Sequence, residues 1–137
     1  MSFVLDSSVA LTWCFEDERT HPTRALLFRL TDDGATAPAL WPLEVLNVLA
    51  MAERRGRIDA DRRQELVAFL KELPITLDVE TASRSWLVTS ELAARWRLTV
   101  CDATYLELAQ RMSLPLATLD RELRSAAQNA GVEVLGE

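Results

Sequence analysis

Phe3-Val4-Leu5-Asp6-Ser7-Ser8-Val9-Ala10-Leu11 decides the fold, because its character changes halfway along. Phe3, Val4 and Leu5 form an unbroken apolar run suited to a strand covered on both faces. Asp6, Ser7 and Ser8 then suit the turn into a helix, since their side-chain oxygens can accept the unpaired N–H groups of a first turn. A buried strand over 3–5 that passes straight into a helix over 9–15 is how a strand–helix–strand unit begins.

Working outward, the alternation repeats. Pro22 falls in the first turn of a second helix with Ala25, Leu26, Leu27 and Leu30, and Gly34 follows as a stop. Residues 35–38 make a second strand candidate. Pro42 opens a strongly periodic helix through Val45, Leu46, Val48, Leu49 and Ala52 that ends near Gly56. Asp59 is placed to cap the next helix, with Leu66, Val67, Leu70 and Leu73, before Pro74 breaks it. A strand over 75–79 follows, then a helix capped by Thr81 and running through Trp86, Leu87, Leu92 and Trp96. Thr99 begins another helix with Ala103, Leu106 and Ala109 on its apolar side. A strand over 116–119, a helix over 121–130 stopped by Gly131, and a strand over 132–135 complete the chain. Strands separated by helices predict an α/β fold with a parallel sheet. No repeat, low-complexity stretch or linker divides the sequence, so 1–137 is read as one domain.

Composition bounds the function. An apolar share of 49% excludes intrinsic disorder, and no apolar run reaches the roughly 18 residues of a membrane helix. The start lacks a basic region and is acidic by Asp6, unlike a secretory signal. Two cysteines, Cys14 and Cys101, make no disulfide framework and fit a reducing cytoplasm. The net charge of −6 runs against nucleic-acid binding. Two features offset it: all but one of the 15 basic residues are Arg, the side chain suited to bidentate phosphate contacts, and setting aside four acids discussed next leaves only −2.

Those acids are Asp6, Glu44, Asp102 and Asp120. Asp6 and Asp120 each directly follow a strand, and Glu44 and Asp102 lie in the first turns of helices. In a parallel sheet such positions gather at the carboxyl edge of the strands, where ligands bind. Each also has a plain structural explanation. Asp6 and Asp120 suit N-caps, Thr99-x-x-Asp102 reads as a capping box, and Glu44 complements a helix dipole.

Their surroundings favour a site. Val4-Leu5-Asp6-Ser7-Ser8-Val9-Ala10-Leu11, then Trp13 and the acidic run to Glu18, resemble the opening of the PIN-domain family, in particular its VapC toxins. Glu44-Val45-Leu46-Asn47-Val48-Leu49 resembles that family's second acid with its downstream Asn. Cys101-Asp102-Ala103-Thr104-Tyr105-Leu106-Glu107-Leu108-Ala109 resembles the third block, and Ala117-Thr118-Leu119-Asp120-Arg121-Glu122-Leu123 the fourth. The blocks run in family order over essentially the whole chain, with Cys101 standing where relatives often carry another residue. The resemblance implies a PIN-like three-layer α/β/α sandwich, a Mg²⁺ or Mn²⁺ site, RNA cleavage, neutralisation by a cognate antitoxin and a homodimer.

The residues permit that chemistry. Hard carboxylate oxygens suit Mg²⁺ or Mn²⁺, and no His/Cys cluster favours zinc. The expected reaction is hydrolysis of RNA phosphodiesters by metal-activated water, with Asp6, Asp102 and Asp120 holding metal and Glu44 completing the site or orienting the attacking water. Ser7 and Thr118 are expected to donate hydrogen bonds to carboxylate or phosphate, Asn47 to support the site, and Arg121 and Arg124 to touch RNA. His21 and the cysteines belong to no recognisable acid–base or nucleophile motif. Arg54, Arg55, Arg57, Arg62 and Arg63 form a basic cluster suited equally to phosphate, to an acidic antitoxin segment or to a solvated helix end. The tryptophans read as core or interface residues, with Trp13 and Trp41 nearest the acids in sequence. A response-regulator-like phosphoacceptor would want paired acids after the first strand and a late lysine, whereas the single lysine, Lys71, sits mid-helix. The remaining alternatives are a non-catalytic PIN-like binding module and a DNA-acting nuclease.

Overall fold

The computed structural model describes residues 2–137. Its strands are β1 (Val4–Leu5), β2 (Ala35–Pro38), β3 (Ile75–Asp78), β4 (Leu116–Ala117) and β5 (Val134–Leu135). They form one parallel sheet in the order β3-β2-β1-β4-β5. Val4 sits opposite Thr36 on one side and Leu116 on the other. That central position explains why Phe3, Val4 and Leu5 are fully buried.

The helices are α1 (Ser7–Thr12), α2 (His21–Asp33), α3 (Trp41–Arg54), α4 (Ala60–Glu72), α5 (Thr81–Arg84), α6 (Ser90–Trp96), α7 (Val100–Met112) and α8 (Arg121–Asn129). Strand order moves outward from β1 to β3, then returns across β1 to β4 and β5. Parallel crossovers are right-handed, so reversing direction places the early helices on one face and the late ones on the other. This is the expected α/β/α sandwich. Buried side chains from both faces, among them Leu30, Leu49, Leu106 and Leu123, belong to one hydrophobic cluster. No helix among the described residues is long and apolar enough to cross a membrane.

Local chemistry sets most helix starts. Thr20 and Thr23 form a reciprocal capping box on α2, Asp59 accepts the Arg62 N–H of α4, and Thr99 accepts the Asp102 N–H of α7. Gly34 ends α2 at φ 70, where its missing Cβ removes the left-handed penalty.

Several boundaries differ from the sequence reading. α1 begins at Ser7 rather than 9 and stops at Thr12, whose hydroxyl bonds back to the Val9 carbonyl at 2.7 Å. A 3₁₀ turn over Glu16–Glu18 follows. Thr81 is the first residue of α5, not its cap: its hydroxyl accepts the Ala39 N–H and donates to Asp78. The helix expected to run through 96 is interrupted by a π-helical turn, Ser85–Thr89, which leaves Trp86 88% exposed. The fourth strand, expected over 116–119, ends at Ala117: the Thr118 N–H still donates to the Leu135 carbonyl at 3.1 Å, but the Leu119 N–H turns away to the Ser8 hydroxyl. The last strand, expected over 132–135, pairs only at Val134 and Leu135.

Trp13 and Trp41 are buried, and the Trp13 indole N–H donates to the Thr23 carbonyl at 2.8 Å. Arg111, on α7, joins that helix to the end of β3. Its guanidinium bonds Asp78 at 2.6 Å and Glu80 at 3.3 Å, and reaches back one turn to the buried Glu107 at 2.9 Å.

Candidate functional site: the carboxyl edge beside β1

The strand order reverses at β1, and the chain ends leaving β1 and β4 part there. Such a switch point opens a crevice at the carboxyl edge of the sheet. Asp6 leaves β1 into α1, and Asp120 caps α8 just beyond β4. Glu44 comes from the first turn of α3 and Asp102 from the first turn of α7. Four separate segments thus deliver one acid each to the same edge.

Asp6 is held from several sides. Its Oδ2 accepts the Ser8 hydroxyl at 2.6 Å and the Thr118 hydroxyl at 2.8 Å. Each hydroxyl is oriented in turn by a backbone donor, Leu119 N–H to Ser8 Oγ at 2.9 Å and Asp120 N–H to Thr118 Oγ1 at 3.0 Å. The bond to Ser8 uses the Leu119 N–H, which is why pairing with β5 goes no further than Thr118. Burial pushes the Asp6 carboxyl above its ordinary pKa, and Asp120 adds to the rise, while Ser8, Thr118 and the Ser7 N–H favour the charged form.

Glu44 accepts a hydrogen bond from the hydroxyl of Tyr105, a fully buried side chain on α7. Burial again raises the Glu44 pKa most, with Asp6 and Asp102 contributing, and bonds from Tyr105 and Ser7 oppose it. Asp102 is raised by burial and then by the charges of Asp120 and Asp6, with a smaller part from Glu122. The Tyr105 hydroxyl is itself driven far above its usual value by burial and by Asp6 and Glu44, so it stays protonated and donates. The acids feel one another, and among the described residues no Arg or Lys forms an ion pair with any of the four.

The structural explanations hold as well. Asp120 accepts the Leu123 N–H at 2.9 Å as an N-cap, and Thr99 bonds the Asp102 N–H at 3.1 Å. Capping fixes these side chains at the edge; it does not neutralise them.

As a donor set, four carboxylates with flanking hydroxyls suit a hard divalent ion. Among the described residues, no three His, Cys, Asp or Glu side chains stand close enough to form a ready-made cage. That excludes a preformed structural site of the zinc type, in which protein ligands fill the coordination shell.

Other expected residues are placed differently. Ser8, read only as a turn residue, bonds Asp6, whereas the Ser7 side chain acts on Glu44 and Tyr105. Tyr105 was not singled out by its residue type, although its position three beyond Asp102 puts the two on neighbouring faces of α7. Asn47 is exposed, one turn beyond Glu44, and makes no hydrogen bond to the acids. Arg124 is not free to meet a substrate: its Nη1 bonds the carbonyls of Thr118 at 2.7 Å and Leu135 at 3.1 Å, tying β4 to β5. Arg121 is exposed. In the basic cluster, Arg57 pairs with Asp17 and Glu18, Arg62 with Glu65 and Arg63 with Glu53. Burial lifts the Cys14 thiol to about 11, which makes it inert, and Cys101 is exposed beside Asp102.

Comparison with known proteins matches the description "PIN domain" to residues 3–129. Ribonuclease VapC3 of Mycobacterium tuberculosis is 30% identical over 106 residues, covering 77% of this chain and 74% of that protein. Among solved structures, PAE2754 from Pyrobaculum aerophilum superposes with a TM-score of 0.67 at 19% identity, covering 98% of this chain and 89% of that one. FitAcB from Neisseria gonorrhoeae gives 0.66 at 19% identity, covering 98% and 96%.

Proposed function

The chain belongs to the PIN domain family, and from that premise we propose that it is a divalent-metal-dependent endoribonuclease, the toxin of a VapBC-type toxin–antitoxin pair. The observation that carries this reading is the group of Asp6, Glu44, Asp102 and Asp120 at the switch point, with no Arg or Lys paired to any of them among the described residues. The ribonuclease name of the mycobacterial relative supports RNA as the substrate.

Asp6, Asp102 and Asp120 would hold Mg²⁺ or Mn²⁺, which when bound supplies a Lewis acid for phosphodiester hydrolysis and lowers the pKa of water. The protein's own contribution is orientation. Ser8 and Thr118 fix the Asp6 carboxylate, and Tyr105 fixes Glu44. Glu44, half-buried with a raised pKa, is suited to accept a proton from the attacking water.

An antitoxin with an acidic, apolar segment fits a second feature. A groove of about 450 Å³ where α2 faces α4 has Trp13, Phe28 and Phe69 along it, with Arg19, Arg24 and the Arg62–Glu65 pair around it, a net excess of positive charge. Apolar side chains would supply area there and carboxylates would meet the guanidiniums. A homodimer is supported by exposed Leu43, Val79, Trp86 and Leu87, which a lone subunit would leave in water. Two free cysteines suit a reducing cytoplasm.

The test is incubation of purified protein with total cellular RNA in Mg²⁺, Mn²⁺ or EDTA, beside Asp6→Asn. Discrete, metal-dependent cuts bearing 5′-phosphate ends, absent in the variant, are expected. Cyclic 2′,3′-phosphate ends, or cleavage that survives EDTA and Asp6→Asn, would overturn the mechanism. Cleavage of DNA in place of RNA would move the substrate but keep the site.

A further inference from the structure

On α3, Glu44 is followed by Asn47, Val48 and Met51, and then by Arg55 at the helix's C-terminal cap, at the three-and-four spacing that puts residues on one helical stripe. The stripe therefore leads from the carboxylate edge along the surface. Asn47 lies about 4.5 Å further along the axis than Glu44, and Met51 about 10 Å. A cavity of about 320 Å³ opens along this stretch, lined by Asn47, Val48, Met51 and Arg55 from the helix and by Phe15 and Arg57 opposite. The Arg57 guanidinium lies over the Phe15 ring, 3.9 Å from its centre, and is held there by Asp17 and Glu18.

We propose that this cavity receives one unpaired nucleobase of the RNA, next to the phosphate that is cut; the inference rests on the ribonuclease reading above and names the part of the substrate it recognises. Its chemistry suits a base on every side. Val48 and Met51 give an apolar wall, and the Arg57 guanidinium, which lies over Phe15, offers its outer side to a base. Among the described residues the Asn47 amide has no hydrogen-bond partner, so both its donor and its acceptor are free for a base edge. Arg55 is exposed and unpaired, and supplies positive charge for the adjoining phosphate. At about 320 Å³ the cavity is at the small end of ligand pockets, which matches a single base and not a folded partner. A base in a duplex cannot enter it, so the substrate is single-stranded at this position.

Binding is tested apart from cleavage. Short single-stranded RNAs with 2-aminopurine at successive positions are titrated into the Asp6→Asn protein in Mg²⁺, and the same series into proteins carrying Asn47→Ala or Arg55→Ala as well. Both added substitutions are on exposed positions and leave the core alone. Fluorescence is expected to quench at one position only. Either added substitution should weaken binding about tenfold, and a duplex of the same sequence should show no quench. In the otherwise native protein, Asn47→Ala should raise KM and flatten the base preference at the cut, with kcat changed less. Metal-dependent cleavage whose base preference and KM ignore both substitutions overturns the pocket and leaves the nuclease standing. Asn47-dependent binding without any cleavage does the reverse. Neither binding nor cleavage overturns both.

Discussion

The Thr118 hydroxyl donates to Asp6 Oδ2 at 2.8 Å, joining residues 112 positions apart in the chain. The bond closes the point where β1 and β4 hand their chains to α1 and α8, and it is doubled by Ser8, whose hydroxyl is set by Leu119. An acid buried at a sheet edge would otherwise shed its charge. Two oriented hydroxyls favour the carboxylate, while burial and Asp120 oppose it.

Thr118→Val keeps the shape and removes this donor. A hydrogen bond to a charged group is worth about 1.5–3 kcal/mol, and the Asp120 N–H loses its acceptor as well. Urea unfolding at neutral pH should show a loss of about 2 kcal/mol. The deficit should shrink on acidification, once Asp6 is protonated. An unchanged midpoint would mean that solvent replaces the bond.

Tyr105→Phe leaves the buried ring and deletes only the hydroxyl that Glu44 accepts. Catalytic rate should fall about tenfold, equivalent to about 1.4 kcal/mol at the transition state, with KM for RNA little changed. The acid limb of the pH profile should move up, because the lost bond favours charged Glu44. Full activity with an unmoved limb would remove Tyr105 from the site.

Asp6, Glu44 and Asp102 all bind protons more tightly in the folded chain than free carboxyls do. Their contribution to stability is complete below the ordinary carboxyl value of about 4 and is lost as pH rises through their raised values. Asp102→Asn should therefore raise Tm by a few degrees at pH 7 in EDTA and change it little near pH 4. Mg²⁺ or Mn²⁺ should raise Tm of the native protein more than that of the variant. Equal shifts would place the ion elsewhere.

Arg111→Met tests the opposite sign. Glu107, 4% exposed, would lose its partner, and breaking a buried ion pair costs about 3–5 kcal/mol. The Arg111 guanidinium also holds Asp78 below the usual carboxyl range, against the effect of burial. That part of the stability is present above about pH 4 and lost as pH falls through the lowered value. Denaturant midpoints of native and variant protein should therefore converge in acid.

The sequence by itself determined the order of elements. Val4 and Leu5 made a strand because nothing in them can face water, and Pro22, Gly34, Asp59, Pro74 and Thr99 marked boundaries through backbone constraints and capping oxygens that act within four residues. Asp6, Glu44, Asp102 and Asp120 were legible because strand ends and helix starts in a parallel sheet share one edge. What only the tertiary structure decided were contacts between distant segments. The Ser8 hydroxyl bonds Asp6 while the Ser7 hydroxyl serves Glu44, Tyr105 reaches Glu44 from another helix, and Arg124 turns inward to the carbonyls of Thr118 and Leu135. The shortening of β4 and the π-helical turn over Ser85–Thr89 were likewise invisible along the chain. Periodicity reports which face of an element is apolar, whereas a hydroxyl or guanidinium chooses its partner by distance and desolvation, which exist only once the sheet has brought the segments together.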